Sequence, residues 1–316
     1  METQVFSDFD DFSESVGDAD MSMMMHSLKN PIWRLSQVDL PGMHVQLGFL
    51  GSGNIVEGKS LDAGHLIYLP LSGFNAHTAN GIAFHRNSFL VLKPGTEFDL
   101  CIKEGHEWCS VFIPGRLLPN SECLYEHTSV EDAANNVVIH SDSYTASRFG
   151  AVIKSIMSAA YCSSLEASPA AENAVAHVTS LLPMICSAQG LASNKQIGRR
   201  PRHSKRDIVR RCKAFLEENE DQPVRLADLV AASQVQEREL RSTFNAYFGL
   251  PPARFLQLRQ YHRIRRALKK ADVGTESVTD ILLRHGIYEF GRFAARYRRI
   301  FGELPSTTLK KNHRVR

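Results

Sequence analysis

The chain has 316 residues, 43% hydrophobic and 22% charged, with a net charge of only +3. That length predicts about two domains, and the composition is that of a globular protein rather than a disordered or fibrous one. No apolar run approaches the ~20 residues of a membrane span, and the acidic start METQVFSDFDDF has no basic segment of a secretory signal, so a cytoplasmic protein without a membrane partner is expected.

A short helix is predicted at Phe6–Val16. From about Pro31 to Pro114 the chain reads as β, with strands predicted at His44–Leu50, His65–Leu71, Ser88–Leu92, Glu97–Ile102 and Glu107–Ile113. Turn residues punctuate them at Pro41-Gly42, Gly51-Ser52-Gly53, Gly64, Pro94-Gly95 and Gly105. Short strands at this spacing predict a sandwich or small barrel. From about Ser141 the period changes. Phe149, Val152, Ile153, Ile156, Met157 and Ala160 share one helix face. A second helix is predicted from Ser168 to about Ala188, kinked or shortened at Pro183.

Residues 189–205 (QGLASNKQIGRRPRHSK) read as a linker, and the charge changes sign within them. Residues 1–198 carry 10 Lys/Arg and 21 Asp/Glu, a net −11; residues 199–316 carry 27 and 13, a net +14. Such asymmetry points to a polyanionic partner for the second part alone. Beyond the linker the chain is helical: Asp207–Glu218, Leu226–Ala232, Gln236–Phe248, a long basic helix Pro252–Lys270, Ser277–His285, Glu289–Phe301 and a last turn at Ser306–Lys311.

Within this basic part a unit repeats: short helix, tight turn, longer helix, then Phe-Gly-x-x-Pro, at Phe248–Pro252 and Phe301–Pro305. This is a helix-turn-helix, whose second helix enters the major groove of DNA. The sequence from Val224 to Lys311, including VRLADLVAASQVQERELRSTF and VTDILLRHGIYEFGRFAARYRRIFGELPSTTL, resembles the DNA-binding domain of AraC/XylS-type transcription regulators. Gln236 and Tyr288 depart from the family at the starts of the recognition helices, where a short capping residue is usual. The second turn uses Gly286; the first has Ser233-Gln234.

The resemblance implies a mixed α+β chain. Residues 1–188 would form an effector and dimerisation domain, a cupin-like β-barrel or sandwich with flanking helices. Residues 206–316 would form an all-α double helix-turn-helix domain, with units at about 224–252 and 276–305 joined by helix 252–270. Its partners would be double-stranded DNA, a small-molecule effector, RNA polymerase where the protein is an activator, and a second copy in a homodimer. Solvent-facing positions in the first half of each recognition helix are the candidate DNA contacts: Glu237, Arg238, Arg241 and Ser242 in one, Glu289, Gly291, Arg292 and Arg296 in the other. Arg238, Arg241 and Arg292 are read as base contacts, because a guanidinium grips guanine O6 and N7 bidentately. For Glu237, Ser242 and Arg296 a contact to phosphate or only water competes. Arg259, Arg263, Arg265, Arg266, Lys269, Arg298 and Arg299 are read as phosphate contacts, scaffold ion pairs or solubilising charge.

In the acidic half, His44, His65, His77, His85 and His106 invite a metal, but the sequence has no His-x-His of the cupin type, so no metal or other cofactor is expected. The cysteines (101, 109, 123, 162, 186 and 212) show no metal spacing and are expected reduced. No nucleophile elbow, P-loop or dinucleotide fingerprint appears, so an enzyme is not expected. Trp108, Tyr68, Phe84 and Phe98 are candidates to line an effector pocket, with plain core packing as the alternative. Arg202, Arg206 and Arg210 form two Arg-x-x-x-Arg pairs of the kind that clamps cyclic dinucleotides. The companion Asp/Asn-x-Ser-x-x-Gly is absent, and so Arg-rich a stretch also gives this spacing by chance. The competing readings are a regulator without ligand, whose first half only pairs, and an enzyme fused to a DNA-binding domain.

Overall fold

The computed structural model describes residues 3–73, 77–118, 136–162, 168–187, 204–220, 222–272 and 274–311. The chain divides into two compact units. One is Met1–Met23 with Lys29–Gln196; the other is Met24–Leu28 with Ile197–Arg316.

The first unit is a sheet with helices. Its strands among the described residues are β1 (Gln4–Phe6), β2 (Ala19–Met25), β3 (Trp33–Leu40), β4 (Met43–Ser60), β5 (Gly64–Pro70), β6 (His77–Ala79), β7 (Ile82–Ala83), β8 (Ser88–Leu92), β9 (Glu97–Pro114) and β10 (Asn136–His140). The hydrogen-bonded order is β1-β3-β4-β9-β5-β8-β10, with β2 on β4 and the β6–β7 ribbon on β9. Helix α1 (Phe9–Ser15) lies between β1 and β2, capped by the Asp8 carboxylate, which accepts from the Asp10 N–H.

Two 18-residue strands, β4 and β9, form the spine, antiparallel from His44↔Phe112 to Lys59↔Glu97. The sequence pattern ends the first at Gly51, as His44–Leu50, and splits the second at Gly105; both run on. Gly105 is not a turn: a Cβ there would meet the Gly51 carbonyl at 2.8–2.9 Å. Gly105 lets the two long strands approach backbone to backbone, the other use of glycine inside a strand, whereas a Cβ at Gly51 would meet Asn30. Strands β1, β2, β3, β6, β7 and β10 were not anticipated.

Alternation along the strands builds two cores. Ile67 and Leu69 of β5, Phe89 and Val91 of β8, and Cys109, Val111 and Ile113 of β9 face one way. They pack with Phe149, Ile153 and Ile156 of α2 (Ser143–Cys162) and Val178, Leu181 and Ile185 of α3 (Pro169–Ser187). The intervening Leu66, Tyr68, Leu90, Leu92, Trp108 and Ser110 face a cavity on the other side. A sheet covered on both faces explains why runs such as SFLVL are continuously apolar. Helix α3 runs through Pro183 rather than ending there. The apolar stripes of α2 and α3 pack on the sheet.

The second unit is helical: α4 (Lys205–Glu218), α5 (Leu226–Ser233), α6 (Glu237–Phe248), α7 (Pro252–Lys270), α8 (Val278–Arg284), α9 (Phe290–Phe301) and α10 (Pro305–Lys311). Helices α6 and α9 each end on a left-handed glycine, Gly249 (φ 63°) and Gly302 (φ 77°), and Pro252 starts α7. This is the physical meaning of the repeated Phe-Gly-x-x-Pro. The phenylalanine before the glycine is core: Phe248 lies 4.6 Å from Phe255, and Phe301 lies 4.5 Å from Tyr297, ring centre to ring centre.

Candidate nucleic-acid interface

Two helix-turn-helices are present, α5–α6 and α8–α9, with α7 between them. Each turn requires a left-handed residue. Gly286 supplies it at φ 73° in the second; in the first Gln234 adopts φ 58°, a conformation costing a non-glycine residue about 1–2 kcal/mol. The first turn is braced by Arg211, whose Nε and Nη2 donate to the Ser233 carbonyl at 2.9 and 2.7 Å. Helix α8 starts with a reciprocal cap. Ser277 Oγ accepts from the Asp280 N–H at 3.2 Å, and the Asp280 carboxylate accepts from the Ser277 N–H at 3.1 Å.

The basic residues of α7 are largely scaffold. Arg259 donates to the Leu216 carbonyl (2.7 Å), and Arg263 to those of Glu220 (2.6 Å) and Gln222 (3.0 Å), satisfying groups around the end of α4. Gln260 and Arg263 also reach His285, beside the second turn. Arg265 is only 4% exposed and lies 2.8 Å from Glu303, itself 12% exposed; the same carboxylate takes Lys311 at 2.6 Å. Thr308 Oγ1 donates to Glu303 and bonds the Tyr297 hydroxyl, both at 2.8 Å. The guanidinium of Arg265 also stands 4.7 Å over the Phe301 ring. Burial alone would raise the Glu303 carboxyl, but the bonds from Lys311, Arg265 and Thr308 hold it below the usual carboxylate range. The network ties α7, α9 and α10 together, so Arg265 is a scaffold ion pair.

The exposed face of α6 carries Glu237, Arg238, Arg241 and Ser242. Arg241 folds back on Glu237, one turn away, with Nε–Oε1 at 2.9 Å and Nη2–Oε1 at 2.5 Å. Its N-cap, Gln236, makes no side-chain capping bond. In the second copy the N-cap is Glu289, not Tyr288, and it too makes no side-chain capping bond. Arg292 is exposed and donates to Glu289 at 3.2 Å. Arg296 is half-buried and donates to the Tyr261 hydroxyl, so its guanidinium is held by the scaffold. Gly291 faces open space.

Sequence reasoning missed two exposed aromatic residues at the start of α9. Tyr288 is 75% exposed and Phe290 38%. Phe290 lies three residues before the buried Phe293, which by periodicity reads as core. Only the helix start, at Phe290 itself, shows that no preceding turn covers it.

In the sheet unit, a cavity of about 50 Å³ is lined by Tyr68, Phe98, Trp108, Asn54, His106 and Ser110 among aliphatic residues and Met21 and Met23. Phe84 is outside this lining; it packs edge-on against Tyr68, ring centres 6.2 Å apart. Tyr68 hydroxyl and His106 Nε2 are 3.0 Å apart, and His106 stands perpendicular to His77 at 4.6 Å. His106 Nδ1 and both nitrogens of His77 are buried without a hydrogen-bond partner. Burial, with His77 alongside, keeps His106 well below the usual imidazole range, and burial pushes His77 down to about 4, so both rings are neutral. His44 instead bonds Asp18 at 2.7 Å, and His85 lies against His140. No cluster of three His, Cys, Asp or Glu suited to a metal occurs among the described residues, and no described helix is long and apolar enough to cross a membrane. Arg206 and Arg210 stand on the first turns of α4, Arg210 3.4 Å from Asp207; Arg202 is outside the described residues.

Paired helix-turn-helices with a connecting helix between them define the second unit as a domain of the double helix-turn-helix class. A family model described as a helix-turn-helix domain matches residues 229–311. The XylDLEGF operon transcriptional activator of Pseudomonas putida is 35% identical over 97 residues, covering 31% of this chain and 30% of that protein. The solved structure of a probable AraC family transcriptional regulator from Rhodopseudomonas palustris CGA009 is 27% identical, covering 34% of this chain and 97% of that one, with a TM-score of 0.30. The AraC-like transcriptional activator CuxR is 13% identical, covering 84% of this chain and 91% of that one, with a TM-score of 0.41. The C-terminal third of this chain is similar in sequence to the corresponding part of these regulators. The chain spans about a third of the length of the curated relatives it matches.

Proposed function

We propose that the protein is a sequence-specific transcription regulator that binds double-stranded DNA through α6 and α9 and takes a small-molecule effector in its sheet unit. The observation that carries this reading is the repeated helix-turn-helix, in which each second helix exposes arginine in its first turns (Arg238 and Arg241; Arg292) while Arg259, Arg263 and Arg265 of the connecting helix are bound into the scaffold. Arginine held to a neighbouring carboxylate is pre-oriented, and it exchanges that partner for a guanine edge or a phosphate. The name of the Pseudomonas putida relative supports a role in activation, with RNA polymerase as the protein partner. A homodimer would not use the stripes of α2 and α3 that pack on the sheet. No catalytic activity is assigned. For the effector, the supporting observation is the largely apolar lining with a few polar groups; at about 50 Å³ the cavity is far smaller than the ~300–1,000 Å³ of a ligand site, so an effector would have to open it.

The test is selection of binding sites from a random-sequence duplex library with the full-length chain, followed by gel-shift titration at several salt concentrations. Enrichment of one sequence, with affinity falling steeply with salt, is expected. Binding without sequence preference would overturn the regulator reading. A metabolite screen by thermal shift tests the effector, since a ligand binding only the folded protein raises Tm.

A further inference from the structure

The exposed faces of the two recognition helices differ in kind. On α6 the first two turns present Glu237, Arg238, Arg241 and Ser242, all polar. On α9 the same stretch presents Phe290, Gly291, Arg292 and Ala295, with Tyr288 and Glu289 just ahead; Arg292 is paired to Glu289, and Arg296 is half-buried. Two large aromatic residues in water at one helix end are costly unless something covers them, at about 25 cal/mol for each Å² of apolar surface. The charge around them names the occupant. Arg292, Arg298 and Arg299 are exposed on the same helix, within a part of the chain carrying a net +14. An apolar patch in that setting fits a polyanion with apolar groups at its centre, which is the major groove where it carries thymine methyl groups.

We infer that the two copies read DNA by different chemistry: α6 by hydrogen bonds to base edges, and α9 by apolar contact of Phe290, supported by Tyr288, with the C5-methyl of thymine. The start of the second helix is the part that faces base edges in this motif. There, thymine differs from cytosine by a methyl group and by an acceptor in place of a donor. An aromatic ring against the methyl favours thymine and leaves cytosine's amino group without a partner. Gly291 and Ala295 help by being small: a Cβ at Gly291 would meet nothing within 4 Å, so the backbone can approach the bases. This inference rests on the DNA-binding reading.

The experiment starts from the duplex selected with the full-length chain. Each thymine in turn is replaced by deoxyuridine, which removes only the methyl group, and affinities are measured for the wild-type protein, Phe290→Ala and Phe290→Leu. One or two positions should lose affinity about fourfold with the wild type, the effect of one buried methyl-sized group. At those positions Phe290→Ala should already be weakened and should show no further loss with deoxyuridine, whereas Phe290→Leu should retain part of the dependence. Both side chains are exposed, so the variants should fold, as circular dichroism can confirm. Deoxyuridine without effect at every position overturns the inference while leaving the regulator intact. So does a full effect persisting in Phe290→Ala, or unchanged DNA binding by that variant, the result expected if the patch docks a protein. Selection that enriches no sequence overturns the DNA reading itself and this inference with it.

Discussion

The two helix-turn-helices answer one architectural demand with different residues. The second takes its left-handed turn from Gly286, the first from Gln234; the first is braced by a guanidinium on a carbonyl, the second by a buried ion pair. The fold therefore constrains backbone conformation and hydrogen-bond satisfaction, not residue identity. What each copy shows to solvent is free to diverge, and it has: one surface is charged, the other largely apolar.

The largest effect that separates the copies should come from the buried network. Arg265→Ala leaves Glu303 with Lys311 and Thr308 only and empties the space over Phe301. Removing one partner of a buried pair typically costs about 3–5 kcal/mol, and chemical denaturation should show that loss. Equal loss from Arg211→Ala would break the contrast. Acid should act in the same direction. The Glu303 pKa is depressed in the folded state, so its contribution is present above the ordinary carboxylate value and is lost as pH falls through the folded one. A denaturation series from pH 7 downward should therefore show a steeper loss for the wild type than for Glu303→Gln.

Next in size are the base contacts. Arg238→Ala and Arg292→Ala should each weaken binding to the selected duplex by about 1–3 kcal/mol, a good bidentate pair's share, and weaken random DNA much less. An equal loss on both duplexes would reassign the residue to the phosphates. Arg296→Ala, whose guanidinium is engaged with Tyr261, should fall below both. The smallest effect is in the turns. Gln234→Gly should stabilise the protein by up to about 1 kcal/mol and Gly286→Ala should destabilise it by about 1–2 kcal/mol. A Cβ at 286 meets nothing within 4 Å, so the second change isolates backbone strain.

The helical unit was legible in sequence nearly residue by residue because its signals are local: 3.6-residue periodicity, glycine after the last turn and proline at the next start. The first reading of each basic residue in α7 was less specific, because nothing local distinguishes an arginine that caps a distant carbonyl from one that meets phosphate. The sheet unit was legible only as a class. Strands β3 and β10 were not singled out, nor was β2, whose ADMSMMM carries no clean period-2 pattern of β-branched residues. A glycine at 105 reads equally as a turn or as a close strand approach until its partner at 51 is known.

The amino-acid sequence by itself determined the two-part division, the opposite charges of the parts and the double helix-turn-helix, since composition and helix punctuation are properties of neighbouring residues. Only the tertiary structure decided that β4 and β9 are continuous, that Arg259, Arg263 and Arg265 belong to the scaffold, and that Phe290 faces solvent. Strand pairing, burial and the exact start of a helix depend on what is brought together from distant parts of the chain, and no local pattern encodes them.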